Sequence, residues 1–294
     1  MPKITPYLWF DDDAEQAVNL YTSLFENSAI EQVTHYDETV AEVAGRPVGS
    51  VLTMSFTLAG QGFLALNGGP LFKPTPALSF FVNCDTDDEI NILWAKLSDG
   101  GEILMPLDKY PFSERFGWIN DRFGVSWQLN LASRSTKITP FLMFAGDQFG
   151  RAEDAVNLYT SLFEHSSITV VNRAGPGNAE PAGMLRYAEF VLDGQEFMAI
   201  NSAGAHAFGF SEAVSLLVNC DTQAEIDRLW ETFTARGEEG QCGWLKDAFG
   251  VSWQIVPSVL GSLLSDPDRA QQVAQVFLQM KKLDIKALEA AAQR

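Results

Sequence analysis

Three sequence blocks occur twice in the same order, and this internal repeat limits what the chain can fold into more than any other feature. The first copy carries AEQAVNLYTSLFE (residues 14–26), VNCDT (82–86) and GWINDRFGVSWQ (117–128), and the second carries AEDAVNLYTSLFE (152–164), VNCDT (218–222) and GWLKDAFGVSWQ (243–254). A repeat of about 130 residues is long enough for a complete domain. The chain therefore reads as a tandem duplication of one domain.

The spacing of the blocks indicates where the copies begin and end. We predict a first domain at residues 1–133, a second at 137–257 and a C-terminal tail at 258–294. The short polar stretch between the domains is typical of a linker. Copy two lacks a counterpart of residues 105–115, and length changes of this kind are tolerated in loops.

Hydrophobic periodicity predicts the same elements in each copy. Apolar residues at helical spacing indicate one helix from residue 14 and another over 90–97. Alternating residues at 51–58, a Gly-containing turn and residues 63–66 indicate a hairpin. Each copy thus reads as a strand, a helix and three strands, followed by the same series again. In the tail, Asp266, Pro267 and Asp268 suit a helix start, and the apolar face that follows is expected to pack on the second domain or on a partner copy.

These blocks resemble the PhnB-like branch of the vicinal-oxygen-chelate superfamily, whose members are often named 3-demethylubiquinone-9 3-methyltransferase. The string GWxxDxFGVSWQ is the most specific element, and residues 280–289 (MKKLDIKALE) are similar to that family's tail. The resemblance implies an α+β fold: tandem glyoxalase/bleomycin-resistance domains, each of two βαβββ modules around a curved sheet cleft, plus a C-terminal helical tail. It also implies that the two domains pair within the chain, and it leaves a homodimer open.

The composition restricts the kinds of partner that the protein could bind. The net charge of −18 argues against nucleic acid and against anionic membranes, since both require clustered Lys and Arg. Three cysteines without a CxxC pattern indicate neither a disulfide framework nor a zinc ribbon. Residues 1–4 lack the basic start of a signal peptide. We expect a cytoplasmic protein that binds a small molecule.

The resemblance also allows the expected metal chemistry to be tested. Metal-using relatives take His, Glu or Gln from four strands around the cleft. The positions that match are Pro6, Phe63 or Ala65, Ser79 and Gln128 in copy one, and Pro140, Phe197 or Ala199, Ser215 and Gln254 in copy two. Of these only the glutamines are suitable ligands, and a divalent site needs three or more. No metal and no cofactor are therefore predicted. Methyl transfer is not favoured either, because Gly60 and Gly62 lie between two strands and open no helix.

What remains is a set of aromatic, amide and hydroxyl side chains. An apolar cavity with a few polar anchors is typical of small-molecule sites. The predicted ligand-binding residues are Asn67, Ser79, Phe112, Trp118 and Gln128 in copy one, and Asn201, Ser215, Cys242, Trp244 and Gln254 in copy two. We hypothesise a metal-free protein that binds a small aromatic or apolar organic ligand.

Several alternatives stay open. The chain could be an enzyme of the superfamily, of lyase, isomerase or dioxygenase type, with its acid or base drawn from Glu102, Asp108, Glu114 or Asp121. Each Trp could line the cleft or fill the core, because Trp127 and Gln128 point to opposite faces of one strand. Cys242 is either a reactive thiol near Lys246 or a small apolar residue.

Overall fold

Sixteen strands and eight α-helices follow one another along residues 2–265 and 269–293, the part of the chain that the computed structural model describes. Copy one contains β1 (Ile4–Phe10), α1 (Ala14–Leu24), β2 (Ala29–His35), α2 (Glu38–Ala44), β3 (Val51–Leu58), β4 (Gln61–Asn67), β5 (Leu78–Cys84), α3 (Asp87–Leu97), β6 (Glu102–Tyr110), β7 (Ser113–Asn120) and β8 (Ser126–Leu131). Copy two contains β9 (Ile138–Phe144), a 3₁₀ turn (Gly146–Gln148), α4 (Ala152–Leu162), β10 (Ser167–Arg173), β11 (Leu185–Leu192), β12 (Gln195–Asn201), β13 (Val214–Cys220), α5 (Gln223–Thr234), β14 (Glu238–Glu239), β15 (Trp244–Lys246) and β16 (Ser252–Pro257). The tail contains α6 (Leu260–Ser265), α7 (Ala270–Phe277) and α8 (Ile285–Ala291).

The helix starts follow from local side-chain chemistry. The hydroxyl of Thr86 accepts a hydrogen bond from the Glu89 amide at 3.2 Å, and α3 begins at the next residue. Thr222 caps α5 in the same way. The short helix α2, which the periodicity did not predict, is capped by Asp37, whose Oδ1 accepts from the amide of Val40 at 2.8 Å.

The strands form two eight-stranded sheets, and each sheet draws on both copies. Sheet A has the order β14-β15-β16-β13-β1-β4-β3-β2, and sheet B has the order β10-β11-β12-β9-β5-β8-β7-β6. At the two centres, β1 pairs antiparallel with β13 and β5 pairs antiparallel with β9. The predicted α+β architecture of paired βαβββ modules is confirmed. The grouping of cleft residues copy by copy was wrong, since every cleft combines half of one copy with half of the other.

One face of each sheet packs on the helices and the other is turned away from them. In β1, Ile4, Leu8 and Phe10 belong to the main core, so the alternate residues Thr5, Tyr7 and Trp9 point to the opposite face. The same alternation places Trp127 and Trp253 in the core, where both are fully buried. The sequence left open whether these two tryptophans line a cleft or fill the core, and the structure places both in the core.

The tail packs on β16 of copy two and on α2 of copy one, and it lies where copy two has only the short β14–β15 hairpin. Leu260, Val273, Leu283 and Leu288 form an apolar cluster to which Val256 of β16 contributes. The carbonyls of Met280 and Lys281 accept hydrogen bonds from the amides of Cys242 and Gly243 at 2.7 and 2.8 Å. In copy one this side of the sheet is covered by the long β6–β7 hairpin.

The predicted helix start at Asp266, Pro267 and Asp268 lies outside the described residues. The helix that was expected beyond it is α7, whose buried residues are Val273 and Ala274. In the described part of the chain, no helix combines the length and the apolar character that crossing a membrane requires.

Candidate ligand clefts

We call the face of sheet A that is turned away from the main core cleft A, and the corresponding face of sheet B cleft B. In each cleft, a glutamine on one strand donates to a serine on the neighbouring parallel strand. Gln128 Nε2 lies 2.8 Å from Ser79 Oγ in cleft B, and Gln254 Nε2 lies 3.0 Å from Ser215 Oγ in cleft A. The structure thus brings four predicted residues together as two equivalent amide–hydroxyl pairs.

A tryptophan stands beside each pair. Trp118 is opposite Gln128 in the register of β7 and β8, and Trp244 is opposite Gln254 in the register of β15 and β16. The indole of Trp118 donates to Ser126 Oγ at 2.9 Å, which fixes the orientation of its ring. Both tryptophans therefore lie on cleft faces, as the sequence allowed.

Cleft B is covered by a continuous apolar cluster that is separate from the main core. Its buried members are Phe116, Trp118, Phe141, Met143, Ala145 and Met198, and Phe81, Leu104, Met105, Tyr110, Tyr187, Ile200 and Phe208 pack against them. Phe81 stacks on Phe141 with a centroid distance of 6.1 Å. At the rim, Phe112 is 67% exposed and stacks on Tyr110 at 5.7 Å.

Cleft A has a smaller aromatic group that also combines both copies. Trp244 meets Tyr7 at 5.8 Å and Trp9 at 6.0 Å, in both cases edge to face. Trp9 contacts Phe72 at 5.0 Å, and its indole nitrogen donates to the carbonyl of Gly69 at 2.8 Å. These contacts hold the aromatic side chains of cleft A against one another.

Each cleft contains a cavity. The cavity lies near the start of β1 in cleft A and near the start of β9 in cleft B. The cavity in cleft A measures about 540 Å³ and its walls include Thr5, Ser55 and Gly62. The equivalent cavity in cleft B measures about 220 Å³ and its walls include Thr139, Glu189 and Glu196. Repeat-related positions thus enclose very different volumes in the two clefts.

Two predicted site residues do not reach a cleft. Asn67 Oδ1 accepts from the amide of Ala14, and its Nδ2 donates to the carbonyl of Val51. Asn201 makes the equivalent contacts with Ala152 and Leu185. Both asparagines face the helix layer and tie the start of a helix to a strand, so the prediction that they line a cleft was wrong. Along their strands, these asparagines alternate with the residues that line the cleft, so their side chains point to the opposite face.

Cys242 lies beneath the tail. Its Sγ is 3.7 Å from the carbonyl oxygen of Phe277. Burial raises the pKa of this thiol to about 11, so the thiolate that a nucleophile requires is scarce near neutral pH. Cys242 is therefore a partly buried residue that the tail covers, and its surroundings do not activate the thiol.

The candidate acids are also distributed away from the amide–hydroxyl pairs. Glu102, Asp108 and Glu114 are exposed on the β6–β7 hairpin. Asp121 is buried in the core, where it accepts from the Tyr21 hydroxyl at 2.6 Å and the Trp127 indole at 2.9 Å, and from two backbone amides. Asp247 accepts from the four equivalent groups of copy two, which are the Tyr159 hydroxyl, the Trp253 indole and the amides of Phe249 and Val251. These two aspartates hold the core together.

The residues on the cleft faces do not fit a divalent metal. The positions matched from the sequence include Pro6, Phe63 and Ala65, but these belong to strand positions that face the helix layer. Their neighbours on the cleft face of sheet A are Thr5, Tyr7 and Leu64, and of these only threonine and tyrosine carry an oxygen. Among the described residues, no three His, Cys, Asp or Glu side chains are grouped as a metal site would require.

Sequence reasoning missed most of the residues that line cleft B. Phe81, Phe141, Met143 and Met198 alternate with core residues along their strands. Period-two alternation was visible in the sequence, but both faces of these strands are apolar. Apolar strands of this type do not reveal which set of residues faces the core.

Comparison with known proteins adds three findings. The sequence profile of the 3-demethylubiquinone-9 3-methyltransferase family matches residues 2–130 and again residues 136–256. The comparison with curated proteins found no match. A solved structure from Bacillus cereus, named as a 3-demethylubiquinone-9 3-methyltransferase and PhnB protein, is 47% identical over 44% of this chain and 99% of its own, with a TM-score of 0.41.

Two further structures extend the comparison. A Staphylococcus aureus protein is 39% identical over 45% of this chain and 98% of its own, with a TM-score of 0.19. Glyoxalase I from Zea mays is 9% identical over 90% of this chain and 97% of its own, with a TM-score of 0.55. The maize enzyme therefore shares the two-sheet architecture over nearly the whole chain, and at this identity the likeness concerns the fold alone.

Proposed function

This chain belongs to the 3-demethylubiquinone-9 3-methyltransferase family, a PhnB-like branch with the glyoxalase fold, and from that premise we propose that it binds a small planar or apolar organic molecule in cleft B without the help of a metal. The ligand would lie against the aromatic and methionine side chains of sheet B. Its polar group would meet the Gln128–Ser79 pair.

The observation that carries this proposal is the apolar cluster on the face of sheet B that is turned away from the core. A face of this kind is ordinarily polar when it meets water. Here it carries Phe81, Phe116, Phe141, Met143 and Met198. Most of these side chains are buried against one another. An apolar lining with a few polar groups is typical of small-molecule sites, and methionine side chains adapt to ligands of different shape.

The amide–hydroxyl pair supplies the polar anchor. Gln128 uses its Nε2 for Ser79, and within the described residues its Oε1 accepts no hydrogen bond from the protein. A ligand hydroxyl or N–H could donate to that oxygen. One satisfied hydrogen bond on an otherwise apolar wall would orient a planar ligand.

The enzymatic alternative has less support. The four candidate acids lie on the exposed hairpin or in the Asp121 core network, and within the described residues none of them is hydrogen-bonded to Gln128 or Ser79. The methyl-transfer reaction in the family's name would require a donor site, and the turn at Gly60 joins strands β3 and β4 instead of opening a helix. Simple binding agrees better with these positions.

The test uses 1-naphthol, a planar probe with one hydroxyl group, in isothermal titration and thermal unfolding. We expect saturable binding and an increase in the free energy of unfolding of about 2.7 kcal/mol at a hundred times the dissociation constant. Mass spectrometry after incubation should recover the probe unchanged. A new product would instead support the enzyme alternative.

The chain offers a matched pair of variants. Gln128→Leu removes the anchor in cleft B and is expected to weaken binding about two- to tenfold, the contribution of one hydrogen bond. Gln254→Leu makes the same change in cleft A and should leave binding unaffected. Loss of affinity in Gln254→Leu alone, or no binding by the unaltered protein, would refute the assignment to cleft B.

A further inference from the structure

The 540 Å³ cavity in cleft A lies away from the apolar wall of cleft B and is lined by a different kind of side chain. It sits where β1 and β4 begin, beside the β3–β4 turn. The β11–β12 turn of copy two contributes Asp193, Gly194 and Gln195 to its wall. The cavity is therefore a junction between the two copies, and its volume is in the range of small-molecule sites, roughly 300–1,000 Å³.

Buried polar groups in this cavity lack partners. Thr5 is 2% exposed, and its Oγ1 has no hydrogen-bond partner within the described residues. The same holds for Nε2 of Gln61 and of Gln195, which come from equivalent turns of the two copies. An unpartnered buried polar group is costly, so such groups are normally satisfied by water or a ligand.

The charges around the cavity limit what could enter. Glu31 and Asp193 contribute carboxylates, and no Lys or Arg occurs among the described residues of the wall. An anion would be repelled by these carboxylates. Ser55 and Thr57 add hydroxyl groups that can both donate and accept hydrogen bonds, whereas the glutamine Nε2 groups require oxygen acceptors.

We propose that this cavity binds a small uncharged polyhydroxylated molecule, such as a cyclic polyol or a sugar. Hydroxyl groups of such a ligand would accept from Gln61 and Gln195 and exchange hydrogen bonds with Thr5. They would also donate to the carboxylates at the edge of the cavity. This site is separate from cleft B, so the proposal does not depend on the function proposed for cleft B.

Copy two supplies an internal comparison for this site. At the equivalent positions of cleft B, Ser55 is replaced by Glu189 and Gly62 by Glu196, and the volume falls to about 220 Å³. Glu189 is also occupied within the protein, since it accepts from the Tyr187 hydroxyl at 2.7 Å and pairs with Arg134 at 3.1 Å. The open, hydroxyl-rich version of the cavity is therefore specific to cleft A.

The test is saturation-transfer NMR with myo-inositol as the probe and gluconate as its anionic counterpart. The unaltered protein should transfer saturation to myo-inositol and much less to gluconate. Gly62→Glu installs the residue of copy two and should weaken binding at least tenfold. A Cβ at Gly62 would lie 3.5 Å from Pro2, an ordinary contact, so this variant is expected to fold.

Two further variants complete the test. Thr5→Val keeps the shape of the side chain but removes the hydroxyl, and it should weaken myo-inositol binding several-fold. Thr139→Val makes the same change in cleft B and should have no effect. The proposal is overturned if the unaltered protein gives no transfer to myo-inositol, if gluconate binds better, or if Gly62→Glu and Thr5→Val bind as well as the unaltered protein.

Discussion

Cleft A and cleft B arise from the same duplicated sequence, yet they present different surfaces. Both keep the amide–hydroxyl pair and the tryptophan beside it. Around these residues, Phe81 and Phe116 in cleft B correspond by the repeat to Leu217 and Cys242 in cleft A. Cleft B became an apolar wall with a hairpin at its rim, while cleft A has an open polar cavity and is covered at one end by the tail.

This difference shows how a duplication can diversify without altering the fold. Each sheet needs one module from each copy, so both copies must keep the elements that build the sheets. The repeated blocks contain the core network, with Asp121 and Asp247 at its centre. Many of the residues that differ lie on cleft faces and in loops, and the core has also accepted changes, such as Phe80 in copy one and Leu216 in copy two.

The largest effect is expected from substitutions in the core network that both copies share. Asp121→Ala and Asp247→Ala each remove the acceptor of four hydrogen bonds and leave buried donors without partners. We expect each to lower the free energy of unfolding by about 3–5 kcal/mol, as measured by urea denaturation. Because the two networks are equivalent, the losses should agree within about 1 kcal/mol. A large effect in only one copy would show that the cores, too, have diverged.

The tail provides the next test, because it covers one end of cleft A and has no counterpart in cleft B. Leu283 is fully buried where the tail meets Gly243. Leu283→Ala should lower the free energy of unfolding by about 2–5 kcal/mol and change the fluorescence of nearby Trp244. The exposed residue Gln275 is the control, since Gln275→Ala should change stability by no more than about 0.5 kcal/mol. Equal effects would contradict a structural role for the tail in copy two.

The smallest expected effect concerns the thiol that replaces Phe116 in copy two. Because burial raises the pKa of Cys242 to about 11, the thiolate fraction is low at pH 7 and grows as the pH rises towards the pKa. Alkylation by iodoacetamide should therefore be about a hundredfold slower than for a free cysteine. The rate should rise about tenfold per pH unit between pH 7 and 10. Rapid modification at pH 7 would mean that the tail leaves this thiol accessible.

Much of this fold could be predicted from the sequence. The repeated blocks gave the duplication, and apolar spacing located the helices that begin at Ala14 and Asp87. The family resemblance then supplied the two-module plan. The exchange of modules between sheets could not be derived, because hydrophobic periodicity reports which face of a strand is buried and not which strand lies beside it.

The candidate site was predicted in part. Gln128 and Ser79 come together, as do Gln254 and Ser215, because each pair occupies neighbouring parallel strands with matching register. Asn67 was misplaced because its side chain lies on the same face of β4 as the core residues Phe63 and Ala65. The cavity at Thr5 and Gln195 joins residues from different copies, and no local pattern could have identified it.

The central claim is that only one of the two clefts binds an apolar ligand, and the stoichiometry of 1-naphthol binding tests it most directly. Isothermal titration of the full chain should give one site per chain, and that site should be weakened by Gln128→Leu but not by Gln254→Leu. Two equivalent sites per chain would contradict the account, because they would mean that cleft A has kept the ligand-binding property of cleft B despite its different lining.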